Sequence, residues 1–183
     1  MSDKLIREVL VLGLLFTIQS CSNPSLTHEP EIVIEDLSGE DIISFEIYFE
    51  ELEYSISGDV PIHMIIKNQG AKPVIFNQNT IITGPNWGEE VSLIFYIQDP
   101  SGVILPFGPI TMQVIRTQPS DFIILEQNEE INLIAYLNSY FNFSEVGDYT
   151  VKAVYNNTLD HPDGRPAWKG TVESNIASFK LIP

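Results

Sequence analysis

Apolar and polar residues alternate with a period of two along much of this chain, and this pattern predicts β-strands. Four segments show it clearly, and each would bury one face in a sheet. Their apolar positions are Phe45, Ile47 and Phe49; Val60, Ile62, Met64 and Ile66; Ile131, Leu133, Ala135 and Leu137; and Tyr149, Val151, Ala153 and Tyr155. The nearly continuous apolar run Val91–Ile97 predicts a central strand.

Turn signals divide these segments and add shorter elements. Asp99–Gly102 has Asp first, Pro second and Gly fourth, which suits a type I turn, and Val103–Leu105 is predicted to return as a strand. Further strands are predicted at Asp121–Leu125 and Val172–Leu181, and a single helical turn at Leu137–Phe143. Roughly seven to nine short strands without a long helix predict an all-β fold, a single antiparallel β-sandwich.

One local motif resembles a known family. Glu145-Val146-Gly147-Asp148-Tyr149-Thr150-Val151 resembles the acid-x-Gly-x-Tyr-x-Cys stretch of immunoglobulin-like domains. The resemblance implies that Tyr149 forms a tyrosine corner, with its hydroxyl bonded to the preceding loop. Val151 stands where those domains have a disulfide cysteine, which favours a disulfide-free, fibronectin-III-like sandwich.

Two further resemblances concern the fold alone. From about residue 60 to residue 179 the chain is distantly similar to the bacterial proteinase-inhibitor family with an immunoglobulin-like fold. It is also similar to the small β-domain that precedes some fungal zinc endopeptidases. Because Glu126–Glu129 replaces the Pro-Gly turn of that pattern, the similarity implies a fold type and no function.

The N-terminus has the layout of a secretory signal. Lys4 and Arg7 precede the apolar run Val9–Ile18, and Ile18-Gln19-Ser20-Cys21 resembles the lipobox of bacterial lipoproteins. That resemblance implies cleavage before Cys21 and attachment of acyl chains, palmitate among them, to this residue. The run has ten residues, too few for a span of about 20. An uncleaved anchor and ordinary secretion are the alternatives.

These features predict three parts: a signal peptide at 1–20, a flexible tether at 21–30 and an immunoglobulin-like domain at 31–183. The expected location is the bacterial cell envelope, with the membrane contacted through the lipid on Cys21. Because Ser22 is not an aspartate, resemblance to enterobacterial sorting favours the outer membrane if the host is Gram-negative.

Charge argues against nucleic acid as a partner. The formal net charge is -16, and a strongly acidic surface repels phosphate backbones. No Gly-rich phosphate loop follows a strand and no βαβ alternation occurs, so nucleotide binding is not expected. With Cys21 as the only cysteine, no disulfide can form within the chain.

Candidate chemistry is sparse. The histidines are His28, His63 and His161, and none belongs to a metalloprotease or other catalytic motif. His63 alternates with core residues, which predicts a position on the outer face. The best polar cluster contains His161, Asp163 and Arg165. It is either a binding loop or, as we favour, a turn stabilised by Pro-Asp-Gly chemistry. No metal or other cofactor is expected, and the chain is not predicted to be an enzyme.

Two tryptophans lie in turn-rich stretches, Trp87 and Trp168. They either stack on a ligand at the surface or, as we favour, cover the open ends of the sandwich. The leading hypothesis is a non-catalytic binding or scaffolding module for an envelope protein or glycan, working through loops or an edge strand. The alternatives are a proteinase inhibitor that uses loops 83–90 and 157–169, and a glycan-binding module.

Overall fold

The alternating segments fold into strands, and turn-forming residues separate them. A computed structural model describes residues 42–84, 91–108 and 117–183. The strands in these ranges are β1 (Ile43–Tyr48), β2 (Glu53–Ser55), β3 (Pro61–Asn68), β4 (Val74–Asn77), β5 (Ile82–Thr83), β6 (Val91–Gln98), β7 (Phe122–Leu125), β8 (Glu130–Tyr136), β9 (Gly147–Asn157) and β10 (Gly170–Ile182). Helical structure in the described ranges is limited to 3-10 turns at Pro119–Asp121 and Leu137–Ser139. The prediction of an all-β fold is confirmed for this part of the chain.

The strands form three sheets. One has three strands in the order β1-β3-β8, a second has five in the order β2-β10-β9-β6-β5, and the third is the pair β4-β7. The prediction of an entirely antiparallel arrangement is wrong at two edges, because β2 runs parallel to β10 and β5 runs parallel to β6. Alternation of apolar and polar residues shows which face of a strand is buried, but it carries no information on the direction in which the neighbouring strand runs.

Both larger sheets contribute to a single cluster of buried apolar side chains. In β3, and in β9 from Tyr149 onward, every second residue is buried, as the period of two predicts. Phe76 of β4 and Leu125 of β7 extend the same cluster to the third sheet. β6 has β9 on one side and β5 on the other, as predicted for a central strand. No helix in the described part of the chain is both long and apolar enough to cross a membrane.

Two turns specified by the sequence form as predicted. The hydroxyl of Tyr149 donates a hydrogen bond to the carbonyl oxygen of Glu145 at 2.7 Å, which is the tyrosine corner. The N–H of Gly102 donates to the carbonyl oxygen of Asp99 at 2.9 Å, which closes the predicted turn. The N–H of Val103 also donates to the Asp99 carboxylate at 2.8 Å, and this bond lowers the pKa of Asp99.

The strand predicted at Val103–Leu105 does not form. Ile104 makes an isolated antiparallel bridge with Gln98 and no ladder continues from it. Val103 and Ile104 are both exposed, so little apolar burial stabilises an extended pairing here. The predicted helical turn near Leu137 is present as one of the 3-10 turns.

The free edge of β1 is covered by a side chain. The N–H of Ile47 donates to Oδ1 of Asn175 at 2.8 Å, and Nδ2 of Asn175 donates back to the Ile47 carbonyl oxygen at 3.0 Å. Asn175 lies where a β-bulge interrupts the pairing of β10 with β9, between Glu173 and Ile176. A covered edge is protected against unwanted strand pairing, so the bulge joins the two larger sheets and closes one of their edges.

Candidate functional site

The first candidate is the Asp160 loop, residues 158–169, which connects β9 to β10. The N–H of Trp168 donates to the carbonyl oxygen of Ile75 at 2.8 Å, so the end of the loop is bonded to β4. Ala167 packs with Ile75 and Phe122 in a small buried cluster. Nδ2 of Asn157 donates to the carbonyl oxygens of Trp168 at 2.6 Å and Leu159 at 3.1 Å. These contacts fix the two ends of the loop.

His161, Asp163 and Arg165 lie together in the middle of this loop. Nε of Arg165 donates to Oδ2 of Asp163 at 2.8 Å, while Nδ1 of His161 contacts Oδ1 of the same carboxylate. Nη2 of Arg165 lies 3.4 Å from Nε2 of His161. The N–H of Asp163 also donates to Nδ1 of His161 at 3.3 Å. Gly164 occupies the left-handed region at φ 89°, which allows the chain to reverse between these side chains.

The charges of the loop are paired within the loop. Nζ of Lys169 donates to Oδ2 of Asp160 at 2.9 Å, and the Ala167 N–H donates to the other oxygen at 3.2 Å. The bond from Lys169 lowers the pKa of Asp160. The N–H of Arg165 and then the His161 and Arg165 side chains lower the pKa of Asp163. Both carboxylates therefore remain ionised at neutral pH, each with a partner.

The geometry favours a structural role for the Asp160 loop. His161 is buried, and its ring makes an edge contact with Phe122 at 5.0 Å between centroids. Both ring nitrogens already have neighbours within the loop, so neither is directed at a ligand. Within the described ranges no three metal-ligating side chains converge. The fold thus brings His161, Asp163 and Arg165 together, as the sequence indicates, but their polar groups contact one another.

Trp168 is not available to a partner. It is 0% exposed, and it packs beside Tyr155 and Phe76 with ring centroids 6.0 and 6.1 Å away. The hypothesis that Trp168 binds at the surface is wrong, because the hydrogen bonds of Asn157 and Ile75 draw this segment inwards. Trp87 and Cys21 lie outside the described residues. Among the described residues, none accepts a hydrogen bond from Nε1 of Trp168.

A second candidate is the outer face of the three-stranded sheet. The register places Tyr48, His63 and Ile134 in one row across β1, β3 and β8, and Pro61 next to Tyr136 in the following row. Tyr48 is 41% exposed, Ile134 57% and Tyr136 49%. We call these five residues the platform. Large apolar side chains that are exposed together mark an interaction surface more often than those scattered singly.

The chemistry of the platform is mixed aromatic and acidic. The rings of Tyr48 and His63 stack with centroids 5.0 Å apart at 24°, and Nε2 of His63 lies 3.4 Å from Oε1 of Glu50. The prediction that His63 faces outwards is confirmed, although the ring is half-buried by its neighbours. Towards the other end of the sheet the outer rows become polar, with Ser44, Lys67 and Glu130 in register.

The outer face of the five-stranded sheet provides a contrast. Its neighbouring strands are joined by polar side-chain pairs: Lys152 with Glu173, Thr171 with Asn156 at 3.0 Å, and Thr150 with Gln98 at 3.3 Å. Apolar side chains also lie on this face: Ile94 and Val154 are in register and half-buried, and the row of Tyr96 and Lys152 ends at Ile176, which is 68% exposed. The platform differs because three large side chains, Tyr48, Ile134 and Tyr136, are exposed on it together, whereas Ile176 is the large apolar side chain exposed among the described residues of the other face. The platform is therefore the candidate site.

The platform is not a pocket for a small molecule. A pocket in the described part of the chain, beside Leu52 and Lys180, has a volume of about 240 Å³. Sites for small molecules are commonly concave and about 300–1,000 Å³. The platform is instead a sheet surface in which neighbouring strands lie about 4.8 Å apart, so the row from Tyr48 to Ile134 spans about 10 Å.

The sequence contains part of the signal for the platform. Once Ile131, Leu133 and Ala135 are assigned inwards, Ile134 and Tyr136 must point outwards, and β8 is then apolar on both faces at that end. Their alignment with Tyr48 and His63 depends on the strand register, which joins positions far apart in the chain.

Comparison with known proteins leaves the family open. No protein-family model matches the chain, and no curated protein does. Among solved structures, a β-glucosidase from Erythrobacter marinus is similar over 76% of this chain at 11% identity and a TM-score of 0.34, and the match spans only 15% of that enzyme. AvmM, which catalyses macrocyclization in alchivemycin A biosynthesis, is similar over 78% of this chain and 90% of its own at 12% identity and a TM-score of 0.36. These similarities are too weak to define a shared family or function.

Proposed function

We propose that this protein is a non-catalytic binding module held in the bacterial cell envelope by a lipid on Cys21, and that the platform is its binding surface. The observation that carries the proposal is the row Tyr48–His63–Ile134 with Tyr136 beside it, which exposes three large side chains on one flat face. Tyrosine is enriched where proteins bind one another, because its rigid ring buries a large area at small entropic cost.

We propose a non-catalytic role because of the way the polar side chains of the Asp160 loop are arranged. Asp160, His161, Asp163 and Arg165 satisfy one another and the backbone of the Asp160 loop. A general base must be within hydrogen-bond reach of a substrate proton, and His161 is buried with its nitrogens already engaged. The five residues of the platform, by contrast, expose apolar and aromatic side chains and do not include a group of convergent charges.

We further propose that the described strands belong to one immunoglobulin-like sandwich. Two observations support this: the shared core cluster of the larger sheets and the Tyr149 corner. Such sandwiches serve as rigid supports for surfaces that bind other molecules. A binding face on a sheet of this kind keeps its shape when free, which lowers the entropic cost of association.

The anchor is part of the proposal and has a direct test. Cys21 should carry the lipid and form the first residue of the mature chain, and two or more acyl chains give firm membrane attachment. Mass spectrometry of the N-terminal peptide from membrane-extracted protein should show a diacylglycerol thioether. An unmodified Cys21 thiol in that peptide would exclude the lipoprotein hypothesis.

Site-directed photo-cross-linking in native membranes tests the platform. A photoreactive residue replaces Ile134 in one protein and Ile176 in a matched control, because Ile176 is 68% exposed but belongs to β10 of the five-stranded sheet and not to the three strands of the platform. We expect a discrete adduct from position 134 that is absent from position 176. Adding Tyr48→Ser and Tyr136→Ser to the position-134 protein should abolish that adduct.

The outcomes distinguish specific binding at the platform from nonspecific cross-linking of exposed apolar residues. Equal adducts from positions 134 and 176, or an adduct from 134 that survives both serine substitutions, would contradict the proposal. An adduct formed only from a photoreactive residue at Arg165, which is 52% exposed, would move the binding surface to the Asp160 loop and overturn it.

A further inference from the structure

Two carboxylates flank Tyr48 on the outer face of the three-stranded sheet. Glu46 precedes Tyr48 on the same face of β1 and is exposed, and residues at this spacing lie about 7 Å apart along a strand. Glu50 follows the end of β1, and its Oε1 lies 3.4 Å from Nε2 of His63, whose ring is stacked on that of Tyr48. The Glu50 side chain is 66% exposed. Tyr48 is thus an exposed aromatic residue between two acidic ones.

Further carboxylates lie towards both ends of this face. Oδ1 of Asp59 accepts a hydrogen bond from Nδ2 of Asn138 at 3.1 Å, which places Asp59 near the last residue of β8. At the first residue of β8, Glu130 is exposed in the row of Lys67. Lys67 is the one lysine or arginine within β1, β3 and β8, and it lies about 14 Å along the strands from the row of Tyr48. The apolar centre of the face therefore has acidic surroundings.

An aromatic ring flanked by carboxylates attracts a cation. The face of a tyrosine ring carries partial negative charge, and a guanidinium or ammonium group within about 6 Å of the ring centre is attracted to it. The carboxylates of Glu46 and Glu50 accept charge-assisted hydrogen bonds from such a group. Arginine suits this position best, because its planar guanidinium both stacks on rings and donates to carboxylates.

We propose that the partner of the platform is a protein with a basic surface, which places an arginine side chain against Tyr48 between Glu46 and Glu50. This inference rests on the proposed function, since it names the partner of that surface. Apolar side chains of the partner cover Ile134 and Tyr136, and its other basic side chains face the surrounding carboxylates. Protein interfaces combine an apolar centre with a polar rim in this way, and complementary charge speeds association.

The alternative occupants account for fewer of these features. A neutral glycan would stack on the aromatic rings but would leave the carboxylates without a cation, and an acidic glycan or an anionic lipid headgroup would be repelled by them. A second copy of this chain in a symmetric dimer would bring two acidic faces together, and each chain carries a formal net charge of -16. A basic protein surface accounts for the rings and the carboxylates together.

Arginine and citrulline probes test the role of the positive charge. The probe is the end-blocked pentapeptide Leu-Gly-Arg-Gly-Leu, and its control contains citrulline, which has nearly the shape of arginine but no charge. Each peptide is titrated into the full chain in a nonionic detergent, and the backbone amide signals are followed by NMR. The arginine peptide should shift the signals of Tyr48 and Ile134, leave that of Ile176 unchanged, and bind about fivefold more tightly than the citrulline peptide.

Substitutions at Tyr48 and at the two carboxylates test the contact from the side of this protein. Tyr48→Leu keeps an apolar side chain but removes the ring, and it should weaken binding of the arginine peptide by about threefold, whereas Tyr48→Phe keeps the ring and should not. The double variant Glu46→Gln, Glu50→Gln should reduce the preference for arginine over citrulline to less than about twofold. Glu126→Gln, Glu145→Gln is the matched control and should keep the preference, because it changes the charge equally at exposed residues outside the three strands.

Three results would overturn the inference. They are equal affinity for the arginine and citrulline peptides, equal weakening by Tyr48→Leu and Tyr48→Phe, and a preference for arginine that survives the Glu46 and Glu50 substitutions. If position 134 still cross-links a partner in membranes, the platform remains a binding surface and only its basic partner is wrong. An adduct from position 134 with a glycan or with a second copy of this chain would have the same meaning. If position 134 cross-links nothing, the proposed function itself fails.

Discussion

The Asp160 loop and the platform are both polar-aromatic regions, yet they differ in where their bonding capacity is directed. In the loop, carboxylates, imidazole and cations bond to one another and to the local backbone, and Trp168 is fully buried beneath them. On the platform, the side chains of Tyr48, Ile134 and Tyr136 are exposed together on one face.

The difference shows that a cluster of residue types common in active sites, such as His, Asp and Arg, can serve to stabilise a loop. A charged group that is already paired has little left to offer a ligand, whereas an exposed apolar face lowers its free energy only when something covers it. The comparison makes a clear division: substitutions in the loop should change the stability of the fold, and substitutions on the platform should change binding.

The largest expected effect is at Trp168. Trp168→Ala should lower the free energy of unfolding by about 4 kcal/mol, because it leaves a cavity between Phe76 and Tyr155. Denaturant unfolding followed by circular dichroism measures it. Trp168→Phe is the control and should cost clearly less, since it keeps an aromatic ring beside Phe76 and Tyr155. A loss below about 1 kcal/mol for the alanine variant would show that Trp168 contributes little to the stability of the fold, which would contradict the structural role of the Asp160 loop.

The next effect is at Asn157, whose side chain fixes the ends of the loop. Asn157→Ala should cost about 2 kcal/mol, because the carbonyl oxygens of Trp168 and Leu159 lose the bonds from Nδ2. Thermal unfolding checks this value. Asn156→Ala changes the neighbouring, half-buried residue on the opposite face of β9 and is the matched control. Similar losses for both variants would show that the loop contacts add little stability.

A smaller effect is expected from acid. The pKa values of Asp160 and Asp163 are lowered in the folded protein. Their contribution is therefore fully present above the unfolded value, close to 3.8, and is lost as the pH falls through the lower folded values. Denaturant unfolding at several pH values between about 2 and 5 measures it. The double variant Asp160→Asn, Asp163→Asn should lose less stability across this window than the wild type, and an equal loss would contradict the pairing.

The smallest effect on stability is expected at the platform. Tyr48→Ser, Ile134→Ser and Tyr136→Ser should each change the free energy of unfolding by less than about 1 kcal/mol, because these side chains are largely exposed in the free protein. Chemical denaturation provides the values, and Ile176→Ser is a control at an exposed site outside the platform. A loss of several kcal/mol at Ile134 or Tyr136 would mean that these residues serve the fold rather than a partner.

Much of the fold could be predicted from the sequence, because its information is local. Alternation in β3 and β9, the Asp99–Gly102 turn and the Tyr149 corner all depend on residues close together in the chain. The parallel edge strand β2 could not be predicted, since it meets β10 across most of the chain. The platform needed the register of three distant strands, and the burial of Trp168 needed the contacts of Ile75 and Asn157.

The most direct test of the central claim is hydrogen–deuterium exchange of the full chain, compared between native membranes and the purified state. The account predicts that amides of the platform, at Tyr48, Ile134 and Tyr136, exchange more slowly in membranes, where the partner is present. The Asp160 loop should exchange at the same rate in both samples, because its contacts are internal. Protection of the loop with unchanged platform amides would contradict the account and place the binding surface where His161 and Arg165 lie.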